Sequence, residues 1–130
     1  MWFFLTEEEK RIQGIARQVA EEIGPLGREH ELKGAGANLA YLRVLHEAKL
    51  LTLQVPKEYG GVGANCVAWC LAQEEVSKKD VAVGNCISHE AVVPNFLVKL
   101  GTKKQADYYL RKQVNGDLWG VCVTEPQGGV

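Results

Sequence analysis

Residues 81–100 read VAVGNCISHEAVVPNFLVKL, and this stretch decides the architecture that the sequence predicts. Apolar residues occupy nearly the whole circumference at helical spacing, which is typical of a helix with neighbours on several sides. Asp80 can cap its start and Gly101 can close its end. Because Pro94 has no N–H, either the helix bends there or a backbone carbonyl near residue 90 needs another donor, a defect that a side chain or a ligand can fill.

The segments on both sides of this helix are also predicted to be helical. In residues 67–76 (VAWCLAQEEV), apolar residues also occupy nearly the whole helical circumference, which predicts a second central helix. Thr102 and Gln105 form a capping box that predicts the start of a last helix. Residues 50–63 (LLTLQVPKEYGGVG) change from apolar to glycine-rich, so we expect a buried crossover loop there.

The amino-terminal part predicts amphipathic outer helices. Thr6 and Glu9 form another capping box, and apolar residues follow it at steps of three and four. We expect Gly24 and Pro25 to interrupt this helix, with a short helical continuation over residues 26–32. The break KGAGAN then precedes another amphipathic helix.

The pattern changes from helical to extended after the last helix. The stretch LWGVCVTEP reads as one strand that opens into a loop rich in glycine. A lone strand needs partners for its backbone N–H and C=O groups that this chain does not contain, so we expect further residues to supply the sheet. The predicted fold class is all-α, a bundle of about five to six helices that ends in one β-strand.

Composition excludes several classes of function. The chain has 130 residues, of which 46% are hydrophobic and 24% are charged, which is ordinary for one soluble globular domain. The net charge of -1 gives no reason to expect nucleic acid or an anionic membrane as a partner. Apolar runs stay short of the roughly 20 residues that a membrane-spanning helix needs, and no secretory signal is recognisable. We therefore expect a cytoplasmic protein, or one of an organelle matrix such as that of mitochondria.

Cysteine and histidine spacing predicts no metal site. The four cysteines contain no CxxC pair, and the three histidines show no ligand spacing with one another. Two of the cysteines lie four residues apart in a helical pattern, so reduced thiols are expected. The cysteines are Cys66, Cys70, Cys86 and Cys122.

Four motifs together resemble the acyl-CoA dehydrogenase family. They are LTEEE at the first helix, VPKEYGGVG in the crossover, LGTKKQ between the last two helices and VCVTEPQGG at the end, in the family's order and at similar spacings. The resemblance covers essentially the whole chain and corresponds to the amino-terminal helical domain of the family's longer subunits. It implies a helical domain over residues 1–116, followed over residues 117–130 by the first strand and flavin loop of a truncated β-domain.

The resemblance also implies a reaction. Family members bind FAD between a helical domain, a β-domain and a carboxy-terminal helical bundle. They remove the α-proton of an acyl-CoA thioester with a glutamate while the β-hydrogen passes as hydride to flavin N5, and electrons then leave to an electron-transferring flavoprotein. The catalytic glutamate belongs to the carboxy-terminal part, so we assign no catalytic residue here and expect the isolated chain to be inactive. A homo-oligomer is expected for the full-length protein.

Cofactor contacts are implied by the last ten residues. The position of Thr124 gives its hydroxyl to the flavin ring in the family. Backbone groups that face the flavin or its pyrophosphate are implied at Val121, Val123 and Gly129. The family commonly continues this motif with Ala-Gly-Ser-Asp, whereas here Gly128 replaces the alanine and Val130 stands in place of the serine. Val130 is thus implied as a substrate position at which a hydroxyl contact to cofactor or thioester is lost or was never present.

Substrate contacts are implied along residues 81–100, which lie against the acyl tail in the family. Small or polar groups that the resemblance implies on the inner face of this helix, where they could shape the chain-length preference, are Ala82, Cys86, Ser88 and His89. His89 has three alternatives: packing in the core, hydrogen bonding near the Pro94 defect, or facing a substrate cavity. Its neighbours Ser88 and Glu90 do not make a catalytic triad with it, because adjacent helical residues point in different directions.

Two other functions remain open from the sequence. One is a stand-alone helical module that binds a protein or acyl-CoA without redox chemistry. Its difficulty is the apolar stretch LWGVCV, which would be an exposed strand prone to aggregation. The other is an acyl-CoA oxidase, which shares the cofactor but passes its electrons to oxygen.

Overall fold

The computed structural model describes residues 4–32, 39–120, 122 and 124–128. Its five α-helices are α1 (Glu7–Leu32), α2 (Leu39–Glu47), α3 (Cys66–Ser77), α4 (Val81–Leu100) and α5 (Lys103–Val114). Two 3₁₀ turns lie between α2 and α3, at Leu50–Thr52 and Lys57–Tyr59. The prediction of an all-α fold is confirmed.

The main core is formed where α3 packs between α1 and α4. Its fully buried side chains come from four helices and the first 3₁₀ turn, and include Ile12, Ile23, Leu45, Leu50, Val76 and Ile87. A smaller apolar cluster of Val55, Ala106 and Leu110 attaches α5 to the crossover loop. Four apolar side chains of α4 stay exposed, Val81 at its start and Phe96, Val98 and Leu100 near its end. Within the part of the chain that the structure describes, the expected neighbours of α4 therefore do not cover its two ends.

The starts of α1 and α3 are held by one shared set of hydrogen bonds. The Thr6 N–H donates to Glu9 Oε2 at 2.7 Å and the Glu9 N–H to Thr6 Oγ1 at 3.2 Å, so the capping box is present. Glu9 Oε1 also accepts from Asn65 Nδ2 at 2.8 Å, while Asn65 Oδ1 caps α3 by accepting from the Ala68 N–H at 2.9 Å. These donors lower the pKa of Glu9, the Thr6 backbone N–H contributing most.

The interruption expected at Gly24 and Pro25 is wrong, since α1 runs through both residues. A proline removes one intrahelical hydrogen bond, and the turns on either side can carry the helix across it. Contacts with the end of α3 support this turn: Gly24 lies against the Lys79 side chain, and Lys79 Nζ forms a 3.0 Å ion pair with Glu21. The break KGAGAN lies outside the described residues.

The crossover loop is buried in its first part, residues 50–55, whereas residues 57–63 are exposed or half-buried, so the prediction of a buried loop holds for the first part only. At the end of the loop, the backbone N–H groups of residues 62–64 donate to the carbonyls of Thr52, Leu53 and Val55 at 2.7–3.1 Å. Gly60 turns the chain with φ +96°, a conformation that side-chain-bearing residues rarely adopt. The loop therefore satisfies its own backbone groups while its apolar side chains enter the core.

Glu75 joins α1 to α3 through a buried carboxylate. Its side chain is 5% exposed and accepts from Arg17 Nη2 at 3.0 Å, Gln13 Nε2 at 3.0 Å and Lys78 Nζ at 3.1 Å. These contacts, chiefly the hydrogen bonds from Arg17, lower the pKa of Glu75 to about 2. Its ionised form is therefore favoured in the folded chain relative to the unfolded one.

The lowered pKa of Glu75 predicts that the free energy of unfolding decreases at acid pH. Because the folded-state pKa lies below the unfolded value of 4.5, the contribution is fully present above pH 4.5 and is lost as the pH falls towards about 2. Glu75→Gln should lower the free energy of unfolding by about 1–3 kcal/mol at pH 7 and by much less near pH 2. Glu74→Gln is the control, because Glu74 also pairs with Lys78 but is exposed. Urea unfolding at both pH values measures the difference, and equal losses for the two variants would contradict it.

Candidate functional site

The chain leaves the helical body at a capped end of α5. The Asn115 N–H donates to Arg111 O and Lys112 O, both at 3.1 Å, and Gly116 turns the backbone with φ +107°. Residues 117–120 follow without secondary structure, and the side chain of Leu118 is exposed. The described residues therefore place the exit from the helical domain directly after α5.

The strand expected after this exit is not formed at the described positions. Residues 117–120, 122 and 124 lie in no strand, and one antiparallel bridge joins Glu125 to Gly128. The described chain offers this extended segment no neighbouring strand, and a sheet needs such partners.

Part of the predicted cofactor surface is visible. Thr124 is exposed, and a Cβ added at Gly128 would meet no atom within 4 Å. An accessible hydroxyl beside open backbone is compatible with a ligand that offers hydrogen-bond acceptors and phosphate oxygens. The predicted cofactor positions Val121, Val123 and Gly129 and the predicted substrate position Val130 lie outside the described residues.

Three of the predicted substrate residues share one face of α4, and this face is largely exposed rather than the expected inner face. Ala82, Cys86 and His89 are separated by four and three residues, so they share a helical face. Ala82 and His89 are exposed, while Cys86 is half-buried and donates its thiol to Ala82 O at 3.5 Å. Burial raises the pKa of the Cys86 thiol, which keeps it protonated and unreactive. His89 therefore does not pack in the core of the described chain.

An apolar groove of about 260 Å³ lies on a different side of α4, facing α3. The indole of Trp69 forms one wall and is fixed by donating Nε1–H to Ile87 O at 3.3 Å. The lining residues are Trp69, Ser88, Ala91, Val92, Asn95 and Phe96. Of the expected substrate residues on α4, Ser88 is the one that lines this groove. Its apolar walls suit a short hydrocarbon chain better than a charged group.

The Pro94 defect predicted in α4 is present and is filled by a side chain. Glu90 O would accept from residue 94 in a regular helix, but here it accepts from Gln113 Nε2 of α5 at 2.7 Å. The same NH₂ group also lies 3.2 Å from Leu51 O and 3.0 Å from Glu90 Oε2, so its two N–H groups are shared among three acceptors. Pro94 was the sequence signal for the place of this contact, whereas nothing in the sequence pattern indicated Gln113.

Glu90 is a buried carboxylate at the point where the chain leaves α5. Its side chain accepts from the Trp119 backbone N–H at 2.9 Å, and the residue is 4% exposed. Burial raises the pKa of Glu90, although the hydrogen bonds from Trp119 and Gln113 and the nearby His89 and His46 oppose this shift. Among the described residues, the carboxylate is thus held by the neutral donors of Trp119 and Gln113, without an ion pair.

α4 also has the length and mean hydropathy of a membrane-spanning helix, alone among the helices in the described part of the chain. Core helices of soluble proteins have the same length and composition. One such helix is weak evidence for a span, and α4 packs against α3 and α5.

Comparison with known proteins now identifies the family. A sequence profile of the acyl-CoA dehydrogenase N-terminal domain matches residues 6–117. The chain belongs to the acyl-CoA dehydrogenase family. The predicted resemblance is thereby confirmed.

Three relatives illustrate the extent of the match. Acryloyl-CoA reductase (NADH) of Anaerotignum propionicum is 33% identical over 135 residues, covering 99% of this chain and 33% of that protein. Mitochondrial isovaleryl-CoA dehydrogenase of Pongo abelii is 30% identical over 129 residues, covering 96% of this chain and 30% of that protein. The structure of butyryl-CoA dehydrogenase from Megasphaera elsdenii superposes with a TM-score of 0.89 at 26% identity, over 99% of this chain and 35% of that one. The chain therefore spans about a third of the length of these relatives.

Proposed function

We propose that this chain is the amino-terminal domain of a FAD-dependent enzyme that dehydrogenates an acyl-CoA thioester between its α and β carbons. The observation that carries the proposal is the family match over residues 6–117, which covers all five helices from Glu7 to Val114. The dehydrogenases among the relatives support the reaction, and the acryloyl-CoA reductase supports the same class of substrate.

We place the domain boundary after Gly116. Residues 1–116 form the helical domain, and residues 117–130 are the first strand and flavin loop of a β-domain. This division is supported by the capped end of α5, the turn at Gly116 and the exposed segment that follows it.

The cofactor positions in this chain are Thr124 and the backbone of Val121, Val123 and Gly129. Bound FAD would supply the hydride acceptor for the β-carbon. The exposed Thr124 hydroxyl can donate a hydrogen bond to a ring atom of the flavin, and the glycines allow a phosphate oxygen to approach the backbone. Fixed backbone donors can stabilise negative charge on the ring without reorganising.

The substrate positions are Ala82, Cys86, His89 and Val130, with Ser88 in the groove between α3 and α4. These small or polar groups on α4 would influence which acyl chains are accepted. The chain contributes no catalytic base, so we propose that these 130 residues alone do not turn over acyl-CoA.

The family supports proposals for the partners and the location of the full-length protein. An electron-transferring flavoprotein is the proposed electron acceptor, oxygen being the alternative for an oxidase, and the full-length protein is proposed to be a homo-oligomer. We place it in the cytoplasm, or in the mitochondrial matrix as for the mitochondrial isovaleryl-CoA dehydrogenases among the relatives.

The experiment is anaerobic titration of the purified full-length protein that contains this chain. Saturated acyl-CoAs of short, medium and branched chains should bleach the flavin absorption, whereas NADH with a 2-enoyl-CoA would reveal a reductase. The isolated 130 residues should show neither change. A full-length protein without flavin, or a flavin that no acyl-CoA reduces, would overturn the proposal.

A variant of Thr124 tests the cofactor surface in the same protein. Thr124→Val should slow flavin reduction by about 10-fold, because one hydrogen bond to the ring contributes about 1 kcal/mol or somewhat more. Thr124→Ser keeps the hydroxyl and should stay within about 2-fold of the wild type. Equal rates for all three proteins would remove Thr124 from the site.

A further inference from the structure

Residues 117–120, the exit segment, lead from α5 to the flavin loop. A residue of α4, Glu90, holds this segment in place. Two contacts fix Trp119 in place. Its backbone N–H donates to Glu90 Oε1 of α4 at 2.9 Å, and its ring packs edge-to-face on Tyr109 of α5 at 5.5 Å between centroids. Only four residues separate Trp119 from Thr124, so the position of Trp119 limits where the flavin loop can begin.

The two carboxylate oxygens of Glu90 have separate partners. Oε1 accepts from Trp119, while Oε2 accepts from Gln113 Nε2 at 3.0 Å. Gln113 is in turn fixed by donating to Glu90 O and Leu51 O, and the residue is only 1% exposed. The carboxylate therefore has one orientation, set by α5 on one side and by the exit segment on the other.

We propose that Glu90 is a positioning residue, which fixes the place and direction in which the chain leaves the helical domain towards the flavin. The first part, the fixing of Trp119, concerns this chain alone. The second part, the effect on flavin binding, rests on the proposed function. Glu90 has no contact with the predicted cofactor positions among the described residues, so it would act through the backbone of residues 119–124.

Other side chains surround this carboxylate without replacing its role. His46 of α2 contacts Val114 O through Nε2 at 3.0 Å and lies near Glu90, and His89 and Cys86 approach it from α4 itself. None of these three contacts Trp119 through a hydrogen bond that the structure describes. Glu90 is thus the link between α4 and the exit segment.

The first measurement is amide hydrogen exchange of this chain by NMR, for the wild type and Glu90→Gln. The glutamine keeps one acceptor oxygen but turns an NH₂ group towards a donor, so the protection of the Trp119 amide should fall by about 10-fold or more. The Ala72 amide in the core of α3 should keep its protection. Glu47→Gln, at an exposed glutamate of α2, is the control and should change neither amide.

A purely structural role for Glu90 predicts a different result. It would lower the protection of Trp119 and Ala72 together, through global unfolding. That result, or unchanged protection of Trp119, overturns the proposal. If Glu90→Gln does not fold at all, Glu90→Asp replaces it, because the shorter side chain keeps the charge but cannot reach both Trp119 and Gln113.

The second measurement is the dissociation constant for FAD in the full-length protein. Glu90→Gln should weaken FAD binding by about 10-fold, with Glu47→Gln unchanged. Unchanged FAD affinity overturns the link to the flavin. If Glu90→Gln lowers the protection of Trp119 but the full-length protein binds no flavin, the fixing of the exit segment is supported and the proposed function is refuted. Failure of the positioning role and failure of the proposed function therefore give different results.

Discussion

Gly61→Ala is expected to destabilise the chain by at least about 3 kcal/mol, at the upper end of the range for overpacking. A Cβ at Gly61 would overlap the carbonyl oxygen and the Cβ of Val55. Val55 cannot move aside, because it is fully buried and its carbonyl accepts from the Gly63 N–H at 2.8 Å. Urea unfolding followed by circular dichroism measures the loss.

Gly14→Ala is the matched control. Gly14 lies inside α1, and a Cβ added there would meet no atom within 4 Å. Alanine should therefore raise the free energy of unfolding by about 0.5–1 kcal/mol, because glycine is the poorer helix former. Similar changes for the two variants would show that the loop is not packed as described.

Gln113→Leu is expected to lower the free energy of unfolding by about 3 kcal/mol. Leucine has a similar size, but it leaves Glu90 O and Leu51 O without this donor and removes one of the donors to the buried Glu90 carboxylate. A buried polar group that loses its partner costs about 1–3 kcal/mol. Gln127→Leu, in the exposed turn after Thr124, should change stability by less than about 0.5 kcal/mol.

A double-mutant cycle with Pro94→Ala isolates the contact across the helix defect. Alanine restores an N–H at residue 94, so Glu90 O can be satisfied within α4. Gln113→Leu should then cost about 1 kcal/mol less in the Pro94→Ala background than in the wild type. Strictly additive effects would mean that Gln113 does not serve the carbonyl freed by Pro94.

Local signals explain why much of the fold could be predicted. The capping boxes at Thr6 and Thr102 and the N-cap at Asp80 depend on residues three positions apart, and all three are present. Gly24 and Pro25 misled the prediction because a distant contact with Lys79 supports that turn of α1. Residues far apart in sequence leave no periodic signal.

In the candidate site, too, features marked by a local motif could be predicted, whereas contacts between residues far apart in sequence could not. The motif around Thr124 was recognised from its resemblance to the family, while the contact between Glu90 and Gln113 joins residues 23 positions apart. The resemblance implied substrate contacts at Ala82, Cys86 and His89 of α4, but it did not indicate that the groove lies on another face of this helix, beside Trp69. Which side of a largely apolar helix is covered depends on the packing of the other helices.

The flavin content and length of the native polypeptide test the central claim most directly. An antibody raised against these residues can isolate the protein from its source cells for mass measurement and for release of bound flavin by denaturation. We predict a polypeptide about three times as long as this chain, as in the relatives, carrying one FAD per subunit. A native polypeptide of only 130 residues that releases no flavin would contradict the claim and would favour a helical binding module instead.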